Sequence, residues 1–457
     1  MARAKKEAAL TPEERLQAAL VPDWEWPYKL PENWCWTRHN SIMDIVGGAQ
    51  PEKAFFIREP KEGYVQLYQT RDYGENPVPV YIPQKYATKT TDEGDILLAR
   101  YGGSLGKVFR AHKGAYNVAL AKVIILYPEV VDDEFLYLYY YSHFYQDFCI
   151  KAGYGRSAQA GFNKSDLNEL LFPLPPFIEQ QRIVDRIESL FTKLDEAKEK
   201  AQAVVDSFET RKAAILHKAF TGELTAKWRE EHGVGMESWR TISFKDVCKK
   251  ITDGTHHSPI NTENGEYMYI TAKNIKENGI DLTNITFVSK DVHEEIYSRC
   301  DVQYGDVLYI KDGATTGIAT VNTIEKPFSL LSSVAVLRPD KKQILAEYMA
   351  YNLNSSKTKT MMISSMSGNA ITRLTLSKIK AASITICSLD EQEEIVRIID
   401  DLLEKEQQTK EAAEAVLDQI DLMKKSILAR AFRGELGTND PSEESAVELL
   451  KEIIRRE

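Results

Sequence analysis

The chain of 457 residues is poor in cysteine and lacks the apolar segments of a membrane or secreted protein. Its five cysteines are scattered and form no Cys-x-x-Cys pair, which is typical of reduced thiols rather than of disulfides or a zinc site. No apolar run approaches the roughly 20 residues that span a bilayer, and the first residues lack the apolar stretch of a signal peptide. These absences predict a cytoplasmic globular protein without a membrane partner.

Motifs for catalysis or cofactor binding are equally scarce. Residues 102–107 resemble a phosphate-binding loop, but the spacing is one residue short and Val108 stands where Ser or Thr is needed. Residues 76–79 do not match the Asn/Asp-Pro-Pro-aromatic motif of amino-methyltransferases. The pair at 256–257, two histidines, has no third metal ligand at a useful spacing. We predict no catalytic centre, no metal site and no cofactor bound by this chain.

Internal repetition, in contrast, is pronounced. Residues 179–224 and 391–436 align without a gap, and 21 of the 46 paired positions are identical. Such a repeat predicts two globular heads, each followed by one long helix. The predicted segments are an N-terminal arm (1–27), a first head (28–175), a first helix (176–222), a linker (223–236), a second head (237–388), a second helix (389–434) and a C-terminal tail helix (435–457).

Apolar side chains in both helical copies recur at alternating spacings of four and three residues. This is the heptad pattern of a coiled-coil seam. The predicted pairing residues are Ile183, Ile187, Leu190, Leu194, Val204, Phe208, Ile395, Ile399, Leu402, Val416 and Ile420. We expect the two copies to form an antiparallel, pseudo-twofold coiled coil, with a weak layer at Glu406 and Thr409 that could contact a partner protein. The alternative is that each helix docks separately on a partner.

The net charge of −10 does not extend to the heads. Residues 28–175 hold 16 basic and 17 acidic side chains, and residues 237–388 hold 18 and 16. Stretches 96–128 and 348–389 contain basic residues and no carboxylate. Because local basic surface decides phosphate binding, these stretches favour a nucleic-acid partner. Ordinary solvated faces are the alternative.

Glycine loops with basic and hydroxyl side chains recur in both heads, at 100–106 and 311–317, and Gly/Ser-rich basic loops follow at 153–159 and 367–373. Arg and Lys recognise guanine, Asn and Gln recognise adenine, and hydroxyls hold phosphates. The predicted DNA-binding residues of the first head are Arg71, Arg100, Tyr101, Ser104, Lys107, Arg110, Arg156, Ser157, Gln159 and Lys164. Those of the second head are Lys273, Asn274, Lys311, Thr315, Thr316, Asn369, Thr372 and Arg373. Plain glycine turns are the alternative for each loop.

The alternation of variable head and repeated helix resembles the specificity subunits of type I restriction–modification systems. The resemblance spans roughly residues 28–436 and is carried by 175–184 and 219–224, together with their second copies. One departure is Ser388, which stands where the first copy has Pro176. The fold class that we predict is α+β, with two mixed α/β target-recognition domains separated by the helix pair.

The resemblance implies a non-catalytic subunit for host defence. Each head would read one half of a split, asymmetric sequence in double-stranded DNA, and the helix pair would set the gap. Two methyltransferase subunits, which bind S-adenosylmethionine and methylate adenine, would dock along the helices. Motor-nuclease subunits with ATP and Mg would join for restriction. We further hypothesise that both terminal arms bind methyltransferase subunits. An enzyme with an unfamiliar site and a coiled-coil scaffold without a DNA role are the competing classes.

Overall fold

The computed structural model describes residues 11–154, 161–366 and 374–456. The chain divides into two compact units, one of residues 1–200 with 416–457 and the other of residues 201–415. We call them unit 1 and unit 2. Each unit therefore contains one head, the beginning of the helical segment that follows this head, and the end of the other helical segment.

The first head is built on two four-stranded sheets. Its core sheet is antiparallel and has the order Met43–Gly47, Leu120–Ile125, Ile96–Ala99, Val108–Arg110. Its mixed sheet has the order Tyr81–Pro83, Tyr64–Tyr68, Gly114–Tyr116, Thr90–Thr91, with one parallel pair in the centre. The apolar run Ile96–Ala99 is buried along its length, as an interior strand should be. Cys35–Arg38 pairs with Leu171–Leu174 and joins the two ends of the head.

The second head repeats this plan, except that its mixed sheet has three strands instead of four. Its core sheet has the order Cys248–Asp253, Val334–Pro339, Val307–Ile310, Ala319–Val321. Its mixed sheet has the order Thr286–Val288, Tyr267–Ile270, Ser329–Leu330, and its last two strands are parallel, like the central pair of the first mixed sheet. Arg240–Ser243 and Ser383–Ile386 close the head, and Ile275–Lys276 forms a small hairpin with Gly279–Ile280. The predicted α+β class with two repeated domains is thus confirmed.

Helices surround the sheets of each head and continue into the long segments. The helices of unit 1 outside those segments are Pro12–Ala19, His39–Ile42, Asp133–Tyr141, His143–Tyr154 and Ala446–Arg456. Those of unit 2 are Ala226–Glu231, Phe244–Val247, Lys290–Arg299, Ala346–Asn354, Ser356–Ser364 and Leu376–Ala381. The long helices are Phe177–Asp206, Phe208–Phe220 and Leu389–Ala431. Residues 223–236, predicted as a plain linker, therefore include a short helix.

The first helical copy is interrupted at Ser207, between its two helices. The Ser207 hydroxyl donates to the Ala203 carbonyl at 2.5 Å, a back-bond to the preceding turn that bends helices. Arg211, one turn further on, donates from Nε to Glu406 at 2.5 Å. Glu406 is thus ion-paired inside unit 2, and Thr409 donates to the Lys405 carbonyl of its own helix. Where the heptad pattern has the charged residue Glu406 in place of an apolar one, the ion pair with Arg211 compensates its charge.

Burial follows the heptad pattern at most of its positions. Ile183, Ile187, Ile395, Ile399 and Ile420 are buried. Leu190, Leu194, Val204, Phe208 and Leu402 are partly buried. Val416 is an exception, since it is 41% exposed. An α-helix drifts against a strict seven-residue repeat, and the partly buried position there is Leu417 rather than Val416.

The repeated Glu-Gln pair at the start of each long helix is buried. In unit 2 Glu391 accepts hydrogen bonds from Thr225 Oγ1 (2.7 Å), Arg229 (2.6 Å) and Trp239 Nε1 (2.9 Å). Gln392 donates to the carbonyls of Gln343 and Cys387 and accepts from the Leu345 amide. The pair ties the helix start to the head and to the segment after the first helical copy.

Unit 1 repeats this junction with different partners. Glu179 accepts from Trp34 Nε1 (2.8 Å), Asn439 Nδ2 (2.8 Å) and Thr438 Oγ1 (3.2 Å). Burial raises the pKa of the Glu179 carboxyl, an effect that these hydrogen bonds oppose. No arginine contributes a hydrogen bond to Glu179 among the described residues, whereas Arg229 does so at Glu391. The two junctions therefore share a geometry and differ in charge compensation.

The two terminal arms pack against each other within unit 1. Arg15 donates to the Ile454 carbonyl at 2.9 Å, and the Ala446 amide donates to the Asn33 carbonyl at 3.0 Å. Leu450 and Ile454, from the apolar stripe of the tail helix, are buried in the core of this unit. The tail helix, which we hypothesised to bind a methyltransferase subunit, therefore packs its buried apolar side chains against the chain itself.

Candidate nucleic-acid interface

The glycine loop of the first head follows the core strand Ile96–Ala99 and contains the turn Gly102–Ser104. The Arg100 guanidinium lies 4.8 Å from the centre of the Tyr101 ring and donates to the Val118 carbonyl at 3.1 Å. A Cβ at Gly47 would lie 3.1 Å from this guanidinium, so the absence of a side chain at Gly47 leaves room for the Arg100 side chain. Lys107 is exposed and Ser104 is partly exposed. This loop presents two basic side chains on a well-held backbone.

In the equivalent loop of the second head, acidic side chains compensate the positive charge of the basic residue. Lys311 stands at the position of Arg100, but its side chain is only 7% exposed. Its Nζ lies 2.9 Å from Asp312 Oδ2 and 3.4 Å from Asp253 Oδ2, and Asp253 occupies the place of Gly47. Thr316 is buried and donates to the Gly313 carbonyl, whereas Thr315 is exposed. Lys311 therefore presents far less uncompensated charge than Arg100 does.

Two further basic candidates of the first head are held by carboxylates. Arg110 forms ion pairs with Asp133 and Glu134 and lies over the Tyr137 ring at 4.3 Å. Lys164 pairs with Asp44 at 2.7 Å, although its side chain is 60% exposed. Arg110 thus serves the packing of the head, while Lys164 remains open to solvent.

A short turn after the central strand of each mixed sheet places one basic side chain in the same position. The turns are Thr70–Tyr73 and Ala272–Asn274. The third residue of each turn caps the preceding backbone amide: Asp72 accepts from the Gln69 amide at 2.8 Å, and Asn274 from the Thr271 amide at 3.1 Å. In each turn an exposed basic residue lies between the two residues joined by this hydrogen bond, Arg71 in the first head and Lys273 in the second. We call these two elements the capped turns.

Each capped turn borders an open groove. The groove of the first head measures about 810 Å³ and includes Gln50, Lys53, Arg58, Gln69 and Arg71 in its lining. The groove of the second head measures about 440 Å³ and includes Asn261, Tyr269, Lys273, Asn284 and Ser333. Both linings also contain apolar side chains, and the first contains the carboxylate of Glu52. Their other polar groups are amides and basic side chains, with hydroxyls in the second groove. These are the groups that recognise base edges and phosphates in DNA.

The remaining predicted positions fall outside the described residues. They are Arg156, Ser157, Gln159, Asn369, Thr372 and Arg373. Within residues 11–154, 161–366 and 374–456, no three His, Cys, Asp or Glu side chains are grouped so that they could hold a metal ion. In that same part of the chain no helix combines the length and apolarity needed to cross a membrane.

Both halves of the chain match the same protein family. Residues 31–205 and 236–417 each match the sequence model of the type I restriction modification DNA specificity domain. The chain belongs to this family. Each match covers one head and the beginning of the helix that follows it. The specificity-domain family is one of DNA recognition, so this chain recognises DNA sequence for a type I system and carries out no bond chemistry itself.

Curated relatives of the same family extend over almost the whole chain. The specificity subunit of the type I restriction enzyme EcoKI from Escherichia coli K12 is 24% identical over 93% of this chain and 96% of its own length. The EcoBI specificity subunit from Escherichia coli is also 24% identical, over 92% of each chain. The resemblance seen in the repeated helices is thus confirmed.

Solved structures share the fold. A chain from a study of assembly and conformational transition in a type I restriction–modification system has a TM-score of 0.66 at 20% identity, over 90% of this chain and all of that one. The HsdS subunit from Thermoanaerobacter tengcongensis has a TM-score of 0.61 at 19% identity, over 90% of this chain and 99% of that one. Both specificity domains of the present chain are included in overlaps of this extent.

Proposed function

We propose that the two heads read the two halves of one split, asymmetric DNA sequence. The observation that carries this proposal is a duplicated scaffold with different side chains at matching positions. Arg71 corresponds to Lys273 and Arg100 to Lys311, and the strand order around them is the same apart from one additional edge strand in the first head. Heads with one scaffold and different surfaces suit the reading of two different base sequences in one docking geometry.

The helical segments, in this proposal, form an antiparallel coiled coil that sets the gap between the half-sites. Contacts inside each unit support it. In unit 1 Asp195 contacts Lys424 and Lys198 contacts Asp421. The later residue of the first helix thus contacts the earlier residue of the second, as in an antiparallel pair. In unit 2 Arg211 contacts Glu406, and the Lys410 ammonium lies 4.9 Å from the centre of the Phe208 ring. A helix of 43 residues such as Leu389–Ala431 measures about 65 Å at 1.5 Å per residue.

Partner subunits would supply the chemistry. Two methyltransferase subunits that bind S-adenosylmethionine would dock along the helices, and motor-nuclease subunits with ATP and Mg would join them in the cytoplasm. The exposed face of the long helices is the place we favour for docking, because the apolar stripe of the C-terminal arm is buried in unit 1. Exposed apolar side chains on that face include Leu422 and Met423.

Mapping of methylated adenine tests the proposed function. We expect cells that carry this chain with its methyltransferase subunit to modify one motif, made of two specified parts and a gap of constant length. Cells with the methyltransferase subunit alone should lack that modification. A continuous motif would contradict the two-head proposal, modification by this chain alone would indicate an enzyme, and absence of any dependence on the chain would indicate a scaffold.

A further inference from the structure

We propose that the groove beside each capped turn is where its head reads bases, and that Arg71 and Lys273 each recognise a guanine, one in each half-site. The inference rests on the proposed function and refines it. The sequence predicts DNA contacts by Arg100 and Lys311 of the glycine loops as well as by Arg71 and Lys273. The contacts around the capped turns carry the assignment further.

The floor of the second groove contains polar atoms without a partner. Tyr269 is only 4% exposed, and its hydroxyl has no hydrogen-bond partner among the described residues. The Ser333 Oγ is also buried and unpartnered. Buried polar groups are nearly always hydrogen-bonded, so two buried and unpartnered hydroxyls on residues that line one groove favour a polar ligand at this groove. Base edges offer both donors and acceptors to such hydroxyls.

The rim of the second groove is cationic and uncharged polar, without a carboxylate. Lys273 stands exposed on the capped turn, and the exposed amides of Asn261 and Asn284 lie on the same groove. Asn274 cannot take part in reading, because its side chain accepts from the Thr271 amide and donates to the Asp281 carbonyl. Asn274 instead holds the backbone of the turn in place. Because this backbone is already fixed, Lys273 loses less conformational entropy when it binds.

The first groove also borders a capped turn, with arginine in place of lysine, and it differs from the second in having the carboxylate of Glu52 in its lining. Arg71 is 46% exposed in its side chain, and its nearest carboxylate, Asp72, lies 4.0 Å away. Asp72 accepts from two backbone amides, those of Gln69 and Val78, and is thus committed to the turn. The Gln69 Nε2 is buried in the groove without a partner. The guanidinium of Arg71, which can donate two parallel hydrogen bonds, fits the O6 and N7 acceptors of guanine and lies near the unpartnered amide of Gln69.

Lys311 of the second glycine loop fits this role less well. Two carboxylates, Asp253 and Asp312, lie within 3.4 Å of its ammonium. A phosphate or guanine would have to compete with both. The capped turn is the position where both heads present an exposed basic side chain without such close compensation.

Single substitutions combined with a panel of target sequences test the assignment. The probe is duplex DNA that carries the motif mapped for the wild-type complex, with every base changed in turn, and the readout is the methylation rate of the assembled complex. For Arg71→Ala we expect discrimination for guanine at one position of one half-site to fall roughly 5- to 150-fold, with the other half-site unchanged. Lys273→Ala should relax one guanine in the opposite half-site. Tyr269→Phe removes only the unpartnered hydroxyl and should change base preference in the same half-site as Lys273→Ala.

Exposed lysines elsewhere in each head provide controls, namely Lys89→Ala in the first head and Lys326→Ala in the second. These should leave base discrimination unchanged. A uniform loss over all sequences for Arg71→Ala and Lys273→Ala would identify phosphate contacts and overturn the assignment. Unchanged discrimination would also overturn it, even if the wild-type motif has two parts. A wild-type complex without a two-part motif would instead reject the proposed function.

Discussion

Replacement of Glu391 with alanine is expected to destabilise unit 2 by about 3–5 kcal/mol. The carboxylate is 1% exposed and joins Thr225, Arg229 and Trp239. Without it the Arg229 guanidinium, 11% exposed, keeps its charge but loses its carboxylate partner. Hydrogen exchange of the complete chain measures the effect, because peptides from residues 201–415 should lose protection while those from the first head keep it.

The repeat itself supplies controls for this experiment. Glu393→Ala, on an exposed position of the same helix, should leave protection unchanged. Glu179→Gln should be milder than Glu391→Gln, since Glu179 is bound by the uncharged donors Trp34, Thr438 and Asn439. A Glu391→Ala chain with protection like that of the wild type would show that the junction does not hold the unit together.

Replacement of Gly254 with alanine should disrupt the second head to a similar degree. A Cβ there would lie 1.9 Å from the Leu330 carbonyl oxygen, so one of two paired backbone segments would have to move. Gly48 is its counterpart in the first head, where a Cβ would lie 2.1 Å from the Asn117 carbonyl oxygen. Overpacking against side chains costs about 1–3 kcal/mol, and a clash with backbone belongs at or above the upper end of that range.

The two glycine variants should act on different halves of the DNA target. Gly254→Ala is expected to abolish recognition of the half-site read by the second head, and Gly48→Ala that of the other, as measured by methylation of sequences with one half randomised. Gly103→Ala is the matched control for stability, because a Cβ there has no atom within 4 Å. Loss of both half-sites from either single variant, with the other unit folded, would contradict independent heads.

The architecture could be predicted because it is repeated. A gap-free match between residues 179–224 and 391–436 is visible in the sequence, and helical periodicity gives both copies their secondary structure. The buried role of Glu179 and Glu391 was not predicted, although both stand at the start of a repeated segment. Their partners, Trp34 and Trp239 among them, come from distant parts of the chain, and spacing along one helix carries no information about them.

The candidate site was predictable in chemistry and less so in position. Glycines, hydroxyls and basic residues pointed to loops of both heads, but whether a basic side chain is ion-paired depends on the fold. Asp253, on another strand, compensates Lys311, whereas the equivalent Gly47 leaves Arg100 without a carboxylate partner within the described part of the chain. The capped turns were represented only by Arg71, Lys273 and Asn274, because their grooves form between segments that the sequence does not bring together.

Exchange of the second head tests the central claim most directly. Residues 237–388 would be replaced by the corresponding head of a family member with a different target, and methylated adenines would be mapped in cells with the methyltransferase subunit. Two independent readers on a common helical scaffold predict a motif in which one half changes, the other half is kept and the gap stays the same. A motif in which both halves change, or in which neither half changes, would contradict the account.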